Sequence, residues 1–193
     1  MSLTAALVAL PGAGTASAQN AEQTIRAELE KRDQRIKSEL GQGEIGSAQR
    51  DTLKVLINGF IDFESMAAEA LGPHWTDLTD AERTEFVDVF SEIVRHQSLG
   101  DLDVYRSSVT YDRITVDGNT AHVVSTTTYK DVPTIVEYHM TLTDDGWRAR
   151  DIVLDDVSTV EGYSRSFQTF VRKKGFAALM DNLNKRLERI SEA

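Results

Sequence analysis

The spacing of apolar residues changes twice along this chain, and these changes restrict its fold more than any other feature. Up to about residue 101 the apolar residues recur every three or four positions, which predicts amphipathic helices. From Leu102 the period becomes two, and from Ser158 the helical spacing returns. Four segments have the alternation of strands: residues 109–116, 120–129, 134–143 and 147–154.

Short turn-like connectors separate these segments, so the strands are expected to form an antiparallel meander. The connectors are Asp117-Gly118-Asn119, Asp131-Val132-Pro133 and Asp144-Asp145-Gly146. Helices, then a meander, then helices predict an α+β fold, with N-terminal and C-terminal helices packed on a curved four-stranded antiparallel sheet.

Helix ends are marked by local signals. Thr79 with Glu82, and Ser158 with Glu161, have the spacing of capping boxes. Gly72-Pro73 is expected to end a strongly apolar helix that carries Leu53 through Leu71, and Gly175 to end the helix after Ser158. Residues 20–40 predict a charged helix with a thin apolar stripe, which we expect to pack at the edge of the fold.

Net charge and cysteine content exclude several classes of function. The formal net charge is −10, whereas binding nucleic acid needs a basic surface. The chain has no cysteine, which removes disulfides, thiol nucleophiles, Cys-ligated zinc and a lipidated Cys anchor.

The first residues resemble an export signal. Residues 3–18 are small and apolar and end in Ala16-Ser17-Ala18, a small-x-small cleavage site that would leave Gln19 as the mature start. We therefore predict a signal peptide over residues 1–18, a single domain over residues 19–193, and a soluble exported protein.

Candidate catalytic groups are few. No two histidines are three or four residues apart, so no helical metal pair is predicted, and neither a nucleophile elbow nor a phosphate-binding glycine loop is present. Asp151 interrupts a strand and is the one candidate for a buried acid. The histidines are His74, His96, His122 and His139.

Large apolar residues on helix faces are abundant, but a filled core and an open cavity have the same sequence signature. The basic run Arg172-Lys173-Lys174 has two interpretations as well, a solvated helix end or a docking patch.

Two blocks of sequence resemble the MlaC-like family of periplasmic phospholipid-carrying proteins, also called toluene-tolerance auxiliary proteins. The first block is Asp62-Phe63-Glu64-Ser65-Met66-Ala67 followed by Leu71-Gly72-Pro73-His74-Trp75. The second is a strand led by Trp147, then Val157-Ser158, Tyr163, Phe167 and Gly175 before a Leu-rich terminal helix. Asp155-Asp156 stands where the family tends to have Glu-Gly, and Arg165 comes one place later than the family's Arg.

The resemblance implies an apolar pocket between sheet and helices, and a soluble periplasmic protein that is not an enzyme. It would shuttle glycerophospholipid between an outer-membrane lipoprotein complex and an inner-membrane ABC transporter with an MCE-domain subunit, which maintains outer-membrane lipid asymmetry. No cofactor is expected, because the phospholipid is cargo.

The site residues expected from this resemblance are mostly aromatic. Head-group or partner docking is expected at Arg165, Arg172, Lys173 and Lys174. Lipid contacts are expected from Phe60, Phe63, Met66, Trp75, Phe86, Phe90, Val94, Tyr105, Tyr138, Met140, Val157, Val160, Tyr163, Phe167 and Phe170.

Two alternatives stay open on sequence alone. One is a small-molecule isomerase or hydratase on a cone-shaped α+β fold, with Asp151 as the base. The other is a protein-binding module whose core is filled and whose basic terminal helix docks a partner.

Overall fold

A computed structural model of the protein describes residues 13–192, with side chains from residue 17 onward. It confirms the α+β fold, with six helices around one antiparallel sheet. The helices are α1 (Ala13–Leu40), α2 (Ser47–Asn58), α3 (Phe63–Leu71), α4 (Asp80–Ser98), α5 (Thr159–Lys174) and α6 (Phe176–Ser191). The strands are β1 (Thr110–Asp117), β2 (Thr120–Tyr129), β3 (Val132–Thr143), β4 (Gly146–Leu154) and β5 (Val157–Ser158).

The sheet has five strands in sequential order rather than the four that were predicted. The additional strand, β5, pairs only two residues with the end of β4, too few for alternation to be recognised in the sequence. The turn between β2 and β3 is also shorter than predicted. It consists of Lys130 and Asp131, so Val132 and Pro133 belong to β3.

Most of the predicted signal peptide lies outside the described residues, which begin at residue 13 with the first turn of α1.

The β4–β5 turn places Asp155 and Asp156 at positive φ, 44° and 65°. A two-residue hairpin turn of type I′ needs positive φ at both positions, where glycine is the least strained residue. Asp156 stands where the family that the sequence resembles tends to have glycine. Asp155 has a further role, because its carboxylate accepts the N–H of Ile135 at 3.0 Å.

We therefore expect Asp156→Gly to raise the free energy of unfolding by about 0.5–1 kcal/mol, because relief of the left-handed strain exceeds the added entropy of the unfolded chain. Asp155→Gly is the matched control and should lower stability, since it removes the bond to Ile135. Urea denaturation measures both. Equal effects from the two variants would contradict the assignment of backbone strain to Asp156 and of a stabilising bond to Asp155.

A break between α2 and α3 interrupts what the sequence predicts as one helix. Asp62 caps α3, its carboxylate accepting the Ser65 N–H at 3.0 Å. The backbone of Phe60 and of Asp62 bonds to Ala149 of β4, at 2.8 and 2.9 Å. This short contact with the sheet fixes Phe60 over the sheet face.

The predicted edge position of α1 is wrong. All four residues of its apolar stripe are buried, and Ile25 and Leu29 share a cluster with Trp147 and with residues of the other long strands. The stripe residues are Ile25, Leu29, Ile36 and Leu40.

The main helical core lies among α3, α4, α5 and α6. The capping box at Thr79 and Glu82 is confirmed, as are the glycine ends at Gly72 and Gly175. At the start of α5, Ser158 accepts the Glu161 N–H, which is half of the predicted box.

Candidate functional site

A mainly apolar space lies between α1, the α2–α3 break and the helix-covered face of the sheet. This first pocket has a volume of about 370 Å³ and is open to solvent, so the predicted enclosure is not confirmed. Its sheet wall is built from cross-strand neighbours, with Ser125 opposite Val136 and Val136 opposite Leu154. The volume is within the range of about 300–1,000 Å³ that is usual for small-molecule sites.

The structure brings five of the residues expected to contact lipid into this pocket. They come from four separate parts of the chain: the α2–α3 break, α3, the end of α4 with the following segment, and β3. These residues are Phe60, Met66, Val94, Tyr105 and Tyr138.

The other expected residues lie elsewhere. Met140 lies in the cluster under α1, and Val157 is 63% exposed on β5. The rest belong to the helical core or pack against it: Phe63, Trp75, Phe86, Phe90, Val160, Tyr163, Phe167 and Phe170.

Several pocket residues were not singled out from the sequence. Val136, Ile152 and Leu154 supply the apolar sheet wall. Arg32 was also missed, although its position in the sequence indicates a buried side chain. It follows Leu29 by three positions and precedes Ile36 by four, so it occupies the buried stripe of α1.

Arg32 is a cation with unusual surroundings. Its guanidinium carbon lies 3.5 Å from the centroid of the Phe60 ring, a cation–π contact. Its Nε and Nη1 atoms are buried and have no hydrogen-bond partner among the described residues. The nearest carboxylate is that of Asp33, 3.6 Å from Nη2, and Asp33 also accepts a hydrogen bond from the Tyr111 hydroxyl at 2.6 Å.

The tyrosine hydroxyls near the pocket stay neutral. Burial raises the pKa of Tyr105 to about 12, and burial also raises the pKa of Tyr138 and of Tyr111. Because these groups carry no charge at neutral pH, they add no negative charge to the pocket.

A second pocket adjoins the first one, and Arg32 and Phe60 line both of them. It has a volume of about 360 Å³ and lies between α1, the end of α2 and the start of β4. Four cationic side chains and a single acidic one, Glu28, line it. The cations are Lys31, Arg32, Arg35 and Arg148.

Asp151, the candidate catalytic acid, is buried but lies outside both pockets. Both of its oxygens bond to the start of α5, accepting the Ser158 hydroxyl at 2.6 Å and the Val160 N–H at 3.0 Å. A carboxylate in this place satisfies free N–H groups and interacts favourably with the helix dipole. Its geometry is therefore that of a structural cap.

Asp151→Asn should lower the free energy of unfolding by about 1–2 kcal/mol, because the amide cannot accept both bonds and carries no charge. Ligand binding in the first pocket should be unchanged. Denaturant unfolding and ligand titration measure the two effects, with Asp156→Asn in the exposed turn as control. Lost ligand binding in a folded Asp151→Asn protein would favour a role in chemistry.

Three potential metal ligands meet on the sheet face that does not line the first pocket. His122 and His139 are cross-strand partners, and Glu137 hydrogen-bonds His122. One ligand atom from each of the three residues lies within 4.8 Å of the others. The sequence did not indicate this cluster, because it depends on the pairing of β2 with β3.

The basic residues expected to dock head groups or partners lie on the outer side of α5. Arg165, Lys173 and Lys174 line a shallow depression beside Phe170, and Arg172 bonds Thr169 at 3.3 Å. None of these cations lines either pocket described above.

No helix within residues 13–192 has both the length and the apolar character needed to cross a membrane.

Comparison with known proteins identifies relatives of this chain. The MlaC protein family model matches residues 18–185. A solved structure with the same fold is the phospholipid-binding protein from Ralstonia solanacearum, in complex with a phospholipid. The TM-score is 0.74 at 21% sequence identity, and the match covers 89% of this chain and 98% of that chain. A search of curated protein sequences finds no significant match.

Proposed function

This chain belongs to the MlaC protein family, and on that premise we propose that it binds a glycerophospholipid and carries it through the periplasm. The observation that carries the proposal is the first pocket, an apolar space against the sheet that the side chains leave unfilled. The Ralstonia solanacearum protein of the same fold holds a phospholipid, which supports the same class of ligand here.

The physical task of such a carrier is to keep acyl chains out of water. Each buried CH₂ is worth roughly 0.8 kcal/mol, so a chain that crosses an aqueous compartment needs an apolar cover. Isoleucine, valine and aromatic side chains supply that cover in the first pocket. A charged head group, by contrast, must stay solvated or be paired with protein groups.

The proposed route is that of the family. The protein would exchange lipid with an outer-membrane lipoprotein complex and with an inner-membrane ABC transporter that has an MCE-domain subunit. In this role the lipid is cargo, no bond is made or broken, and no cofactor is needed.

Both alternatives have less support. An isomerase or hydratase would need an ionisable base at the pocket floor, and Asp151 instead caps α5. A protein-binding module with a filled core does not account for the first pocket.

Native mass spectrometry of protein purified without detergent from a Gram-negative host tests the proposal. We expect a mass excess of one phospholipid, which is released on denaturation and identified after organic extraction. Protein that is free of lipid, and stays so after incubation with phospholipid vesicles, would contradict it.

A further inference from the structure

The two neighbouring pockets differ in chemistry, and together they have the form of a site for an amphiphile. The first is mainly apolar, and the second is lined by four cations and one acid. Arg32 and Phe60 line both, so they form the partition between the two spaces. A ligand at this partition would have an apolar part on one side and an anionic part on the other.

Three of the four cations of the second pocket have no acidic side chain as a partner among the described residues, and Arg148 bonds only the carbonyl of Trp147, at 3.2 Å. Lys31, Arg35 and Arg148 form no ion pair within 4.0 Å among the side chains of residues 17–192. Residues 1–16 contain no acidic side chain that could serve. Lys31 and Arg35 are four residues apart on α1, a spacing at which like charges repel. The clustering is notable in a chain of net charge −10.

Arg32 adds an independent observation. Its two buried N–H-bearing atoms, Nε and Nη1, have no acceptor among the described residues, although burying such groups unpaired is costly. A guanidinium offers its N–H groups in a planar fork that suits the oxygens of a phosphate. Its contact with Phe60 holds the fork at the partition between the pockets.

We infer that the second pocket binds the phosphate of the lipid whose acyl part occupies the first pocket. This inference rests on the proposed function and adds to it a place for the head group. Lys31, Arg35 and Arg148 supply positive charge around the phosphate. Arg32 donates hydrogen bonds to the phosphate oxygens on the side that faces the glycerol. The basic residues on the outer side of α5 have no part in this site, because they line neither pocket.

The test compares a head-group variant with a matched control. The variant is Arg35→Gln with Arg148→Gln, and the control is Arg165→Gln with Lys173→Gln on α5, which removes the same charge. Each protein is incubated with mixed vesicles of phosphatidylglycerol and diacylglycerol of identical acyl chains. Native mass spectrometry then gives the ratio of the two bound lipids, a readout that depends on the phosphate and not on overall stability.

We expect the wild type and the control to favour phosphatidylglycerol, and the variant to lower the ratio about tenfold or more, as for the loss of charge-assisted hydrogen bonds. Two further ligands test whether the cations bind a free phosphate or a carboxylate rather than the phosphate of a lipid. Glycerol 3-phosphate should compete only weakly because it lacks acyl chains. A fatty acid should show a smaller loss in the variant than phosphatidylglycerol does.

An unchanged ratio in the variant, or an equal fall in the control, would overturn the inference while leaving lipid carriage intact. A larger loss for the fatty acid would assign the cations to a carboxylate and overturn it too. A wild type that takes up neither lipid would overturn the proposed function, and this inference with it.

Discussion

Val136→Trp is expected to weaken phospholipid binding by about a hundredfold while the protein remains folded. Val136 lies on β3 in the row with Ser125 and Leu154, and its side chain lines the first pocket. An indole at this position would occupy space equivalent to about four CH₂ groups of an acyl chain. At roughly 0.8 kcal/mol for each CH₂, the loss is about 3 kcal/mol, or about two powers of ten in affinity.

The neighbouring residue provides the control. Ile135 is on the same strand but on the opposite face and is 47% exposed, so Ile135→Trp adds the same side chain outside the pocket. Titration with a fluorescent phospholipid measures both affinities, and circular dichroism checks the fold. Equal affinities for the two variants would contradict the assignment of the first pocket as the lipid site.

Phe90→Ala is expected to lower the free energy of unfolding by about 3–5 kcal/mol, the usual cost of removing a large buried aromatic side chain. Phe90 is fully buried at the centre of the helical core. Its ring centroid lies 4.9 Å from that of Tyr163, 5.6 Å from that of Phe86 and 5.9 Å from that of Phe167. The contacts with Tyr163 and Phe167 join α4 to α5, so the loss of the Phe90 ring leaves a cavity between the two helices.

Urea denaturation, with the midpoint and slope reported separately, measures this effect. Phe170→Ala is the control, because Phe170 is only partly buried at the margin of the same core. Phe90 was expected from the sequence to contact lipid, and the structure places it outside the first pocket. Folded Phe90→Ala protein should therefore keep its affinity for phospholipid. A loss of lipid binding with little loss of stability would refute a purely structural role for Phe90.

The long elements of the fold could be predicted from the sequence because each has enough residues for its period to be read. The four long strands and the helix start at Thr79 are of this kind. The break at residues 59–62 was not predicted, because Phe60 and Ile61 continue the apolar pattern through it and the bonds to Ala149 that fix it are tertiary contacts. The position of α1 also depends on tertiary contacts, since the stripe at Ile25 and Leu29 specifies a buried face but not its partner.

The candidate site could be predicted only in part, for a physical reason. Periodicity tells which residues turn inward, but it does not tell whether other atoms fill the space they face. Tyr138 and Phe90 are both inward-facing aromatics, yet one lines the first pocket and the other packs among phenylalanines. Arg32 was missed because a cation is normally predicted to be at the surface, even within an apolar stripe, and its burial is known only from the structure.

The sequential order of the strands has a consequence for folding kinetics. Each strand pairs with its neighbour in the chain, so the sheet is built from local hairpins with little loop-closure entropy. The contacts of α1 with the sheet span far more of the chain. Arg26 donates a hydrogen bond to the carbonyl of Tyr111, 85 residues away, and the Tyr111 hydroxyl donates one to Asp33, 78 residues away. Because α1 supplies one wall of both pockets, the space for a ligand comes into existence only when this long-range contact closes.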